Sequence, residues 1–475
     1  MLPKPSGCQG CPFYGDGKGF VPDTIQERAP VVIYAQGPGE DEEAGRRYLG
    51  SEQYEAHPPA PLIGRTGRVL DTQFLPLAGL NREDVSLANS IRCRLNHKNH
   101  LPPITQVVMQ QAVEHCTRAH WRPPEGPGGS RAGLVYVTMG EYAFYTLTGM
   151  KHDFNGWRGY LVPKRHPWDP PHLMTDIWTP GASDDKIFVT YHLAYLWKEP
   201  EAELPARRDW NKLALILDGT WPRKVDPFIY EPPALWPTYA AFDTEFARED
   251  KAYLTRYSLA TRDRKVWVVE REDVRRLTVT PGSTVIMHNA PADIPHLAGV
   301  VDIADVVIED TMYAHAVLWT GKVETDEDKG RGGGAMSHKL NFLGSMYGWI
   351  NRWKHLAKVN PKRYSGGDGL GTMDVWETGF NGGLLGELTR DPQSHYVYTT
   401  LQKPLIPIVV RNQQTGIPVN TEEVKRALAG LVQQQKSHIL RAQAYTGWPI
   451  NLRSPRHLAH WLYDVEGLKV KRRAR

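Results

Sequence analysis

Two carboxylates stand two positions apart at the end of an aromatic-rich apolar run, Tyr239-Ala240-Ala241-Phe242-Asp243-Thr244-Glu245-Phe246. On a β-strand alternate residues share a face, so Asp243 and Glu245 project side by side. Carboxylates held that close repel each other unless a cation lies between them. Hard oxygen donors of this kind suit Mg²⁺ or Mn²⁺. For Asp-x-Glu alone, the plain alternative is a strand end with two solvated acids. A second set of chemistry-bearing residues comes earlier. Cys8 and Cys11 form a Cys-x-x-Cys pair, and Cys93 and Cys116 complete the four cysteines of the chain, all within its first quarter. Clustered thiols in an intracellular protein suit a zinc or iron–sulfur site better than disulfides, with unrelated thiols as the alternative.

The elements that must position these groups are bounded by composition. At 475 residues the chain has room for about two to four domains. Hydrophobic residues make up 41% of it, enough for real cores, and the formal net charge is only +4. Nucleic-acid binding would therefore rest on local basic patches. No apolar run approaches the roughly 20 residues of a membrane helix, and the N-terminus lacks a signal-peptide core. The expected setting is intracellular, without a membrane.

Through the first 220 residues, strands alternate with helical patterns and polar residues stand at the strand ends. Pro30-Val31-Val32-Ile33-Tyr34-Ala35 runs into Gln36-Gly37-Pro38-Gly39-Glu40-Asp41-Glu42. Gly64-Arg65-Thr66-Gly67 opens a helical pattern. Val85-Ser86-Leu87-Ala88-Asn89 carries Asn89 at its end, Val135-Tyr136-Val137-Thr138-Met139-Gly140 follows, and Ile187-Phe188-Val189-Thr190-Tyr191 leads into His192. This pattern predicts a three-layer α/β domain with its site at the strand ends.

The order Cys-x-x-Cys, strand, Gln-Gly-Pro-Gly-Glu-Asp-Glu, Gly-x-x-Gly, Asn-x-x-x-Cys, Cys and Tyr-His-x-Ala-Tyr-Leu resembles a family 4-type, iron–sulfur uracil-DNA glycosylase. The resemblance implies that Cys8, Cys11, Cys93 and Cys116 hold a [4Fe–4S] cluster. It implies that the Gln36–Glu42 loop, with Gly37, Pro38 and Gly39, positions the attacking water, that Asn89 reads the uracil edge, and that His192 faces the uracil carbonyl. The target base would be extruded from its stack. Three positions depart from the family pattern. Gln36 stands where a Glu is usual, and an amide cannot accept a proton as a carboxylate can. Leu62 stands where a stacking Phe is usual, and Leu193 where a Pro follows the His.

The proline-rich stretch 221–237 reads as a linker. After Tyr239–Phe246 come strands at Lys265-Val266-Trp267-Val268-Val269 and Thr284-Val285-Ile286-Met287. The latter leads into His288-Asn289-Ala290-Pro291-Ala292-Asp293, and Asp310-Thr311 precedes a helical run. This order resembles the DEDD-type 3′–5′ exonuclease of ribonuclease H-like fold, the proofreading domain of family A DNA polymerases. The resemblance implies Asp243, Glu245 and Asp293 as metal-holding carboxylates, with His288 and Asn289 beside the substrate. Two divalent ions would activate a water and stabilise the leaving 3′ oxygen. The family's closing Tyr-x-x-x-Asp is placed, by its register on Thr399 and Leu401, at Asp391 and His395. That i, i+4 pair shares a helix face. Residues 325–335 read as a flexible loop, and Trp349, Arg352, Trp353 and Lys354 mix rings and charge in a way that suits single-stranded DNA, core tryptophans being the alternative.

Toward the end, Thr421 is the expected cap of a helix over residues 422–445, Ser454 and Pro455 start another, and residues 469–475 are basic. Thr-Gly-Ile-Pro-Val-Asn and Ile-Asn-Leu-Arg-Ser-Pro-Arg-His-Leu resemble the thumb base of family A polymerases. The expected organisation is therefore a glycosylase-like domain (1–220), a linker (221–237), an exonuclease-like domain (238–405) and a helical polymerase stub (406–475). The expected activity is metal-dependent 3′–5′ exonuclease on single strands or primer 3′ ends. A separate polymerase subunit is the expected partner, in the cytoplasm of a bacterium or phage-infected cell. The competing reading is a non-catalytic DNA-binding or assembly subunit that keeps both folds.

Overall fold

The computed structural model describes residues 2–15, 19–94, 106–120, 133–150, 153–164, 174–247, 253–301, 306–320 and 336–468. The expected loop at 325–335 and the basic close at 469–475 lie outside the described residues. The chain forms two compact units, Met1–Val410 and Arg411–Arg475.

In the first unit, strands β1 (Val31–Ala35), β2 (Arg46–Gly50), β3 (Gln53–Ala56), β4 (Val85–Asn89), β5 (Val135–Met139), β6 (Leu161–Pro163) and β7 (Lys186–Thr190) precede residue 220. β2 and β3 form a hairpin, and the others form a five-stranded sheet in the order β4-β1-β5-β7-β6. β4, β1, β5 and β7 are parallel, and β6 is the antiparallel edge. Every residue of β1, β4, β5 and β7 is buried. That is why these strands read as continuous apolar runs: a parallel sheet is covered on both faces. The short β6 and the exposed hairpin carry no such signal.

A second five-stranded sheet follows, β10-β9-β8-β11-β12, built from β8 (Tyr239–Phe246), β9 (Leu254–Ala260), β10 (Val266–Glu270), β11 (Ser283–Met287) and β12 (Val306–Asp310). β8 is central, antiparallel to β9 and parallel to β11. Both sheets make the molecule mixed α/β, with parallel strands at the heart of each.

Residues 221–237 connect the sheets and are well anchored. Trp221, Val225, Phe228 and Trp236 are buried, and Trp221 Nε1 donates to Gly348 O at 3.0 Å. A buried polar network ties helix Glu203–Leu217 of the earlier part to helix Leu340–Tyr347 of the later one. Arg158 Nη1 meets Asp209 Oδ1 at 2.7 Å, and Arg158 also reaches Ser345 Oγ. Thr190 Oγ1 donates to Asp209 Oδ2 at 2.8 Å. A buried charge pair of this kind is tolerable only when its remaining hydrogen-bonding capacity is filled.

In the second unit, helix Thr421–Thr446 is capped by Asn420, whose side chain accepts from Glu423 N at 3.2 Å. The expected cap at Thr421 thus moves by one residue. Ser454 caps helix Pro455–Ala459 as expected, accepting from His457 N at 3.3 Å. Among the described residues, no helix is long and apolar enough to cross a membrane.

Candidate functional sites

The strand alternation at β8 does place Asp243 and Glu245 on one face, and a third acid joins them. Carboxylate oxygens of Asp243, Glu245 and Asp368 lie within 4.8 Å of one another. Asp368 comes from helix Pro361–Met373, which packs across β8 and β9. That helix is rich in glycine for a steric reason. A Cβ at Gly369 would lie 2.8 Å from Ser258 Oγ, and one at Gly371 would lie 2.7 Å from the Trp353 ring. Without side chains there, the helix backbone approaches the sheet closely enough to bring Asp368 to Asp243.

The electrostatics are those of crowded, buried carboxylates. Burial, then Asp368, Asp293 and Glu245, push Asp243 well above the usual carboxylate range. Burial and then Asp368 raise Glu245 to about 7. Asp243 Oδ2 is buried with no hydrogen-bond partner. Lys354 partly offsets this charge: its Nζ pairs with Asp368 Oδ1 and lies 3.2 Å from Tyr364 OH. Burial alone would lower Lys354, but Asp368, Tyr364 and Asp243 together raise it, so it stays charged. Trp353 Nε1 fixes Asp368 Oδ1 from another side at 2.7 Å. An orphaned oxygen among three converging acids fits a divalent cation.

Asp293 reaches β8 at Thr244, accepting from Thr244 N at 3.1 Å and from its hydroxyl. Burial raises Asp293 to about 7, and Asp310 and Glu245 add to the shift. It is therefore an electrostatic neighbour of the three acids, without being one of the converging set. His288 and Asn289 precede its helix, Ala290–Leu297. His288 Nδ1 lies 2.8 Å from Thr311 Oγ1, and burial lowers it to about 3, so it is neutral. Asp310 binds the backbone N–H of Ala290 at 2.5 Å and of Met312 at 2.8 Å, a structural clasp between β12 and two helix starts.

Asp391 and His395, the expected fourth-carboxylate pair, are not among the converging acids. Both are exposed, and Asp391 caps the short helix Pro392–Tyr396 through Gln393 N and Ser394 N. Neither is among the charges acting on Asp243. The Tyr-x-x-x-Asp spacing is instead met by Tyr364-Ser365-Gly366-Gly367-Asp368. The ring-and-charge cluster also divides: Trp353 is core, Arg352 pairs with Asp153, Lys354 joins the acids, and Trp349 is half-buried.

In the first sheet, Gln36, Asn89 and His192 all stand at the carboxyl edge of parallel strands, and Asn89 is directly opposite Ala35 in the ladder. Asn89 is 1% exposed, yet neither its Oδ1 nor its Nδ2 has a partner. A buried amide left empty on both atoms costs stability unless a ligand completes it. His192 Nδ1 accepts from Ala194 N at 3.2 Å, and burial lowers the ring to about 4. The imidazole is thus neutral, with its proton on Nε2. Leu62 adopts φ 54° and is buried; Glu42 clamps its loop to the Gly39 loop, accepting from Leu62 N and Gly39 N at 3.0 Å each. Sequence reading did not find this role for Glu42.

Each acid after β1 is already committed. Glu40 and Asp41 pair with Arg46, Glu42 holds the two loops, and Glu43 accepts from Gly19 N and pairs with Arg94.

The four cysteines line one small cavity with Lys4, Arg92 and His120. All are free thiols. Burial and then mutual repulsion raise Cys8, and burial raises Cys93 to about 12. His120 Nε2 lies 3.1 Å from Cys8 Sγ, and Arg92 reaches Cys116 Sγ at 3.7 Å. Four thiols facing one space, with cations around them, fit a thiolate-held metal group.

No protein-family profile matches the chain. It is similar to the type-4 uracil-DNA glycosylase of Archaeoglobus fulgidus, 30% identical over 109 residues, which is 23% of this chain and 44% of that enzyme. The likeness to the type-4 uracil-DNA glycosylase of Saccharolobus solfataricus is 28% over 227 residues, 47% of this chain and 87% of that one. The first of these matches thus spans less than half the relative's length. Among solved structures, the POL domain of Pol1 from M. smegmatis in complex with DNA primer-template and dNTP aligns at a TM-score of 0.30 and 18% identity, covering 47% of this chain and 36% of that one. Brucella melitensis NrnC with bound Mg²⁺ aligns at 0.30 and 17%, covering 40% and 92%. Likenesses that weak carry no argument about the site.

Proposed function

We propose that this is a DNA replication or repair protein with a metal-dependent 3′–5′ exonuclease centre and a uracil-pocket domain that binds without efficient excision. The observation that carries the exonuclease reading is the convergence of Asp243, Glu245 and Asp368 around the unpartnered Oδ2 of Asp243. These three would hold Mg²⁺ or Mn²⁺, with Asp293 adding charge beside them. Bound divalent ions supply an activated water and stabilise the leaving 3′ oxygen. The chain's own contribution is positioning. Trp353 and Lys354 orient Asp368, and the Tyr364 hydroxyl, beside Lys354, is placed to meet a substrate phosphate or the incoming water.

In the earlier sheet, Asn89 would pair with a uracil edge and His192 Nε2–H would donate to its carbonyl. Gln36 supplies no base, and the neighbouring acids are engaged. The four cysteines around one cavity would hold a [4Fe–4S] cluster, with a zinc ion as the alternative. The second unit, with its thumb-like phrases, suits association with a separate polymerase chain.

The deciding assay uses a 3′-mismatched primer and a uracil-containing oligonucleotide, with Mg²⁺, Mn²⁺ or EDTA. Metal-dependent shortening that disappears in Asp243→Ala supports the reading. A folded protein that binds DNA and never shortens it returns the non-catalytic subunit.

A further inference from the structure

One buried charge is explained by neither centre. Lys212, on helix Glu203–Leu217, is 2% exposed. Its Nζ donates to two neutral carbonyls, Gly159 O at 3.1 Å and Ser345 O. Among the described residues, no carboxylate lies within ion-pair distance of it. The nearest acid in sequence, Asp209, is already held by Arg158 at 2.7 Å and Thr190 at 2.8 Å. The other buried acid acting on Lys212, Asp374, is paired with Arg264 at 2.7 Å. Burial accordingly lowers Lys212 to about 7. The Trp221 ring at 4.4 Å and the Phe380 ring at 5.4 Å from Nζ offset part of the charge; a buried ammonium without a direct ion pair is still costly unless an anion reaches it.

Lys212 lines a cavity of about 410 Å³ with Arg208, Asn211, Trp349, Phe380 and Asn381. Its aromatic wall is preformed. The Trp349 and Phe380 rings stand 4.4 Å apart at 42°. Trp349 is fixed by Nε1 to Thr378 O at 2.8 Å and by its backbone N to Asp374 Oδ2 at 2.9 Å. The Arg223 guanidinium lies 3.8 Å from the Trp349 ring centroid. The volume suits one nucleotide, the rings suit a base, and the ammonium suits a phosphate.

From this juxtaposition we propose that the cavity is a nucleotide-binding subsite, separate from both centres, that takes a base against Trp349 and Phe380 and its phosphate toward Lys212. The occupant is a nucleoside 5′-phosphate unit, supplied either by a single DNA strand or as a free nucleotide. The strand as its source rests on the nucleic-acid reading above; the chemistry of the subsite does not.

The test is a binding titration in EDTA, where no metal-dependent turnover intervenes, with dTMP, thymidine and labelled oligo(dT). Full-length protein is compared with Lys212→Met and Phe380→Ala. The expected result is dTMP binding weakened roughly tenfold by Phe380→Ala, the scale of one lost stacking contact, and by Lys212→Met. Thymidine, lacking the phosphate, binds roughly tenfold more weakly than dTMP to the unaltered protein. Oligo(dT) binding that falls in both variants assigns the strand as source; oligo(dT) binding that stays unchanged while dTMP binding falls assigns the free nucleotide. If Lys212→Met does not fold, Phe380→Ala at the cavity wall decides alone. Unchanged affinity for both probes in a folded Phe380→Ala overturns the proposal. Because only binding is read, a chain without exonuclease activity passes or fails this test on its own terms.

Discussion

Asp368 is claimed by an indole N–H, an ammonium and two neighbouring acids at once, and this crowding makes single-residue outcomes sharp. Asp368→Ala and Asp243→Ala are each expected to cut Mg²⁺-dependent 3′ shortening about 100-fold or more, because each removes a metal-holding oxygen. Asp391→Ala and His395→Ala are expected to leave the rate within about twofold, since both stand in solvent. A primer-shortening gel comparing the four variants settles the register; loss in Asp391→Ala with retention in Asp368→Ala would sink it. Lys354 competes with a divalent ion for the same acids. Lys354→Met is therefore expected to tighten Mn²⁺ binding while destabilising the metal-free protein, read by Mn²⁺ electron paramagnetic resonance and by melting in EDTA. In the other sheet, Gln36→Glu is expected to raise uracil excision by about tenfold or more, since a positioned base contributes at least that much. Equal excision by both forms would show that the amide is not what limits this pocket.

At the level of elements, the covered strands were legible because burial on both faces writes itself as unbroken apolar runs, and β1, β4, β5, β7, β8 and β11 lie within a residue or two of where those runs place them. β9 and β12 were not seen. Their apolar positions are interrupted by Arg256 and by Glu309, and pairing with β8 and β11 makes them strands. The helix bearing Asp368 was missed for a different reason. Ser365-Gly366-Gly367-Asp368-Gly369-Leu370-Gly371 has poor helix propensity and reads as a loop. Close packing on Trp353 and Ser258 overrides propensity there. Gly371→Val is thus expected to destabilise the protein by about 1–3 kcal/mol through overpacking, read as a lower urea midpoint. It should also weaken Mn²⁺ binding by displacing Asp368. A stable variant with unaltered metal affinity would show that the close approach is not required.

Over the whole molecule, the raised acids give stability a definite pH course in the absence of metal. Glu245 and Asp293, each about 7 in the folded chain, stand above the ordinary carboxylate values near 4 of the unfolded one. The folded state therefore binds more protons between these limits. Their contribution is fully present below about pH 4 and is lost as pH rises through about 7. Metal-free melting temperature should fall from pH 5 to pH 8 once other titrations are matched by an Asp243→Asn control. Mn²⁺ should restore it at pH 8 far more than at pH 5, because protons compete with the ion for the same oxygens. A flat profile would mean the acids are not strained when empty. The Arg158–Asp209–Ser345 network has a further consequence, for the order in which the chain loses structure. Amides of helix Glu203–Leu217 and of helix Leu340–Tyr347 should exchange with solvent deuterium in one shared opening event, since neither can leave without stranding a buried charge. A protein cut at residue 220 would then lose protection in its first sheet too.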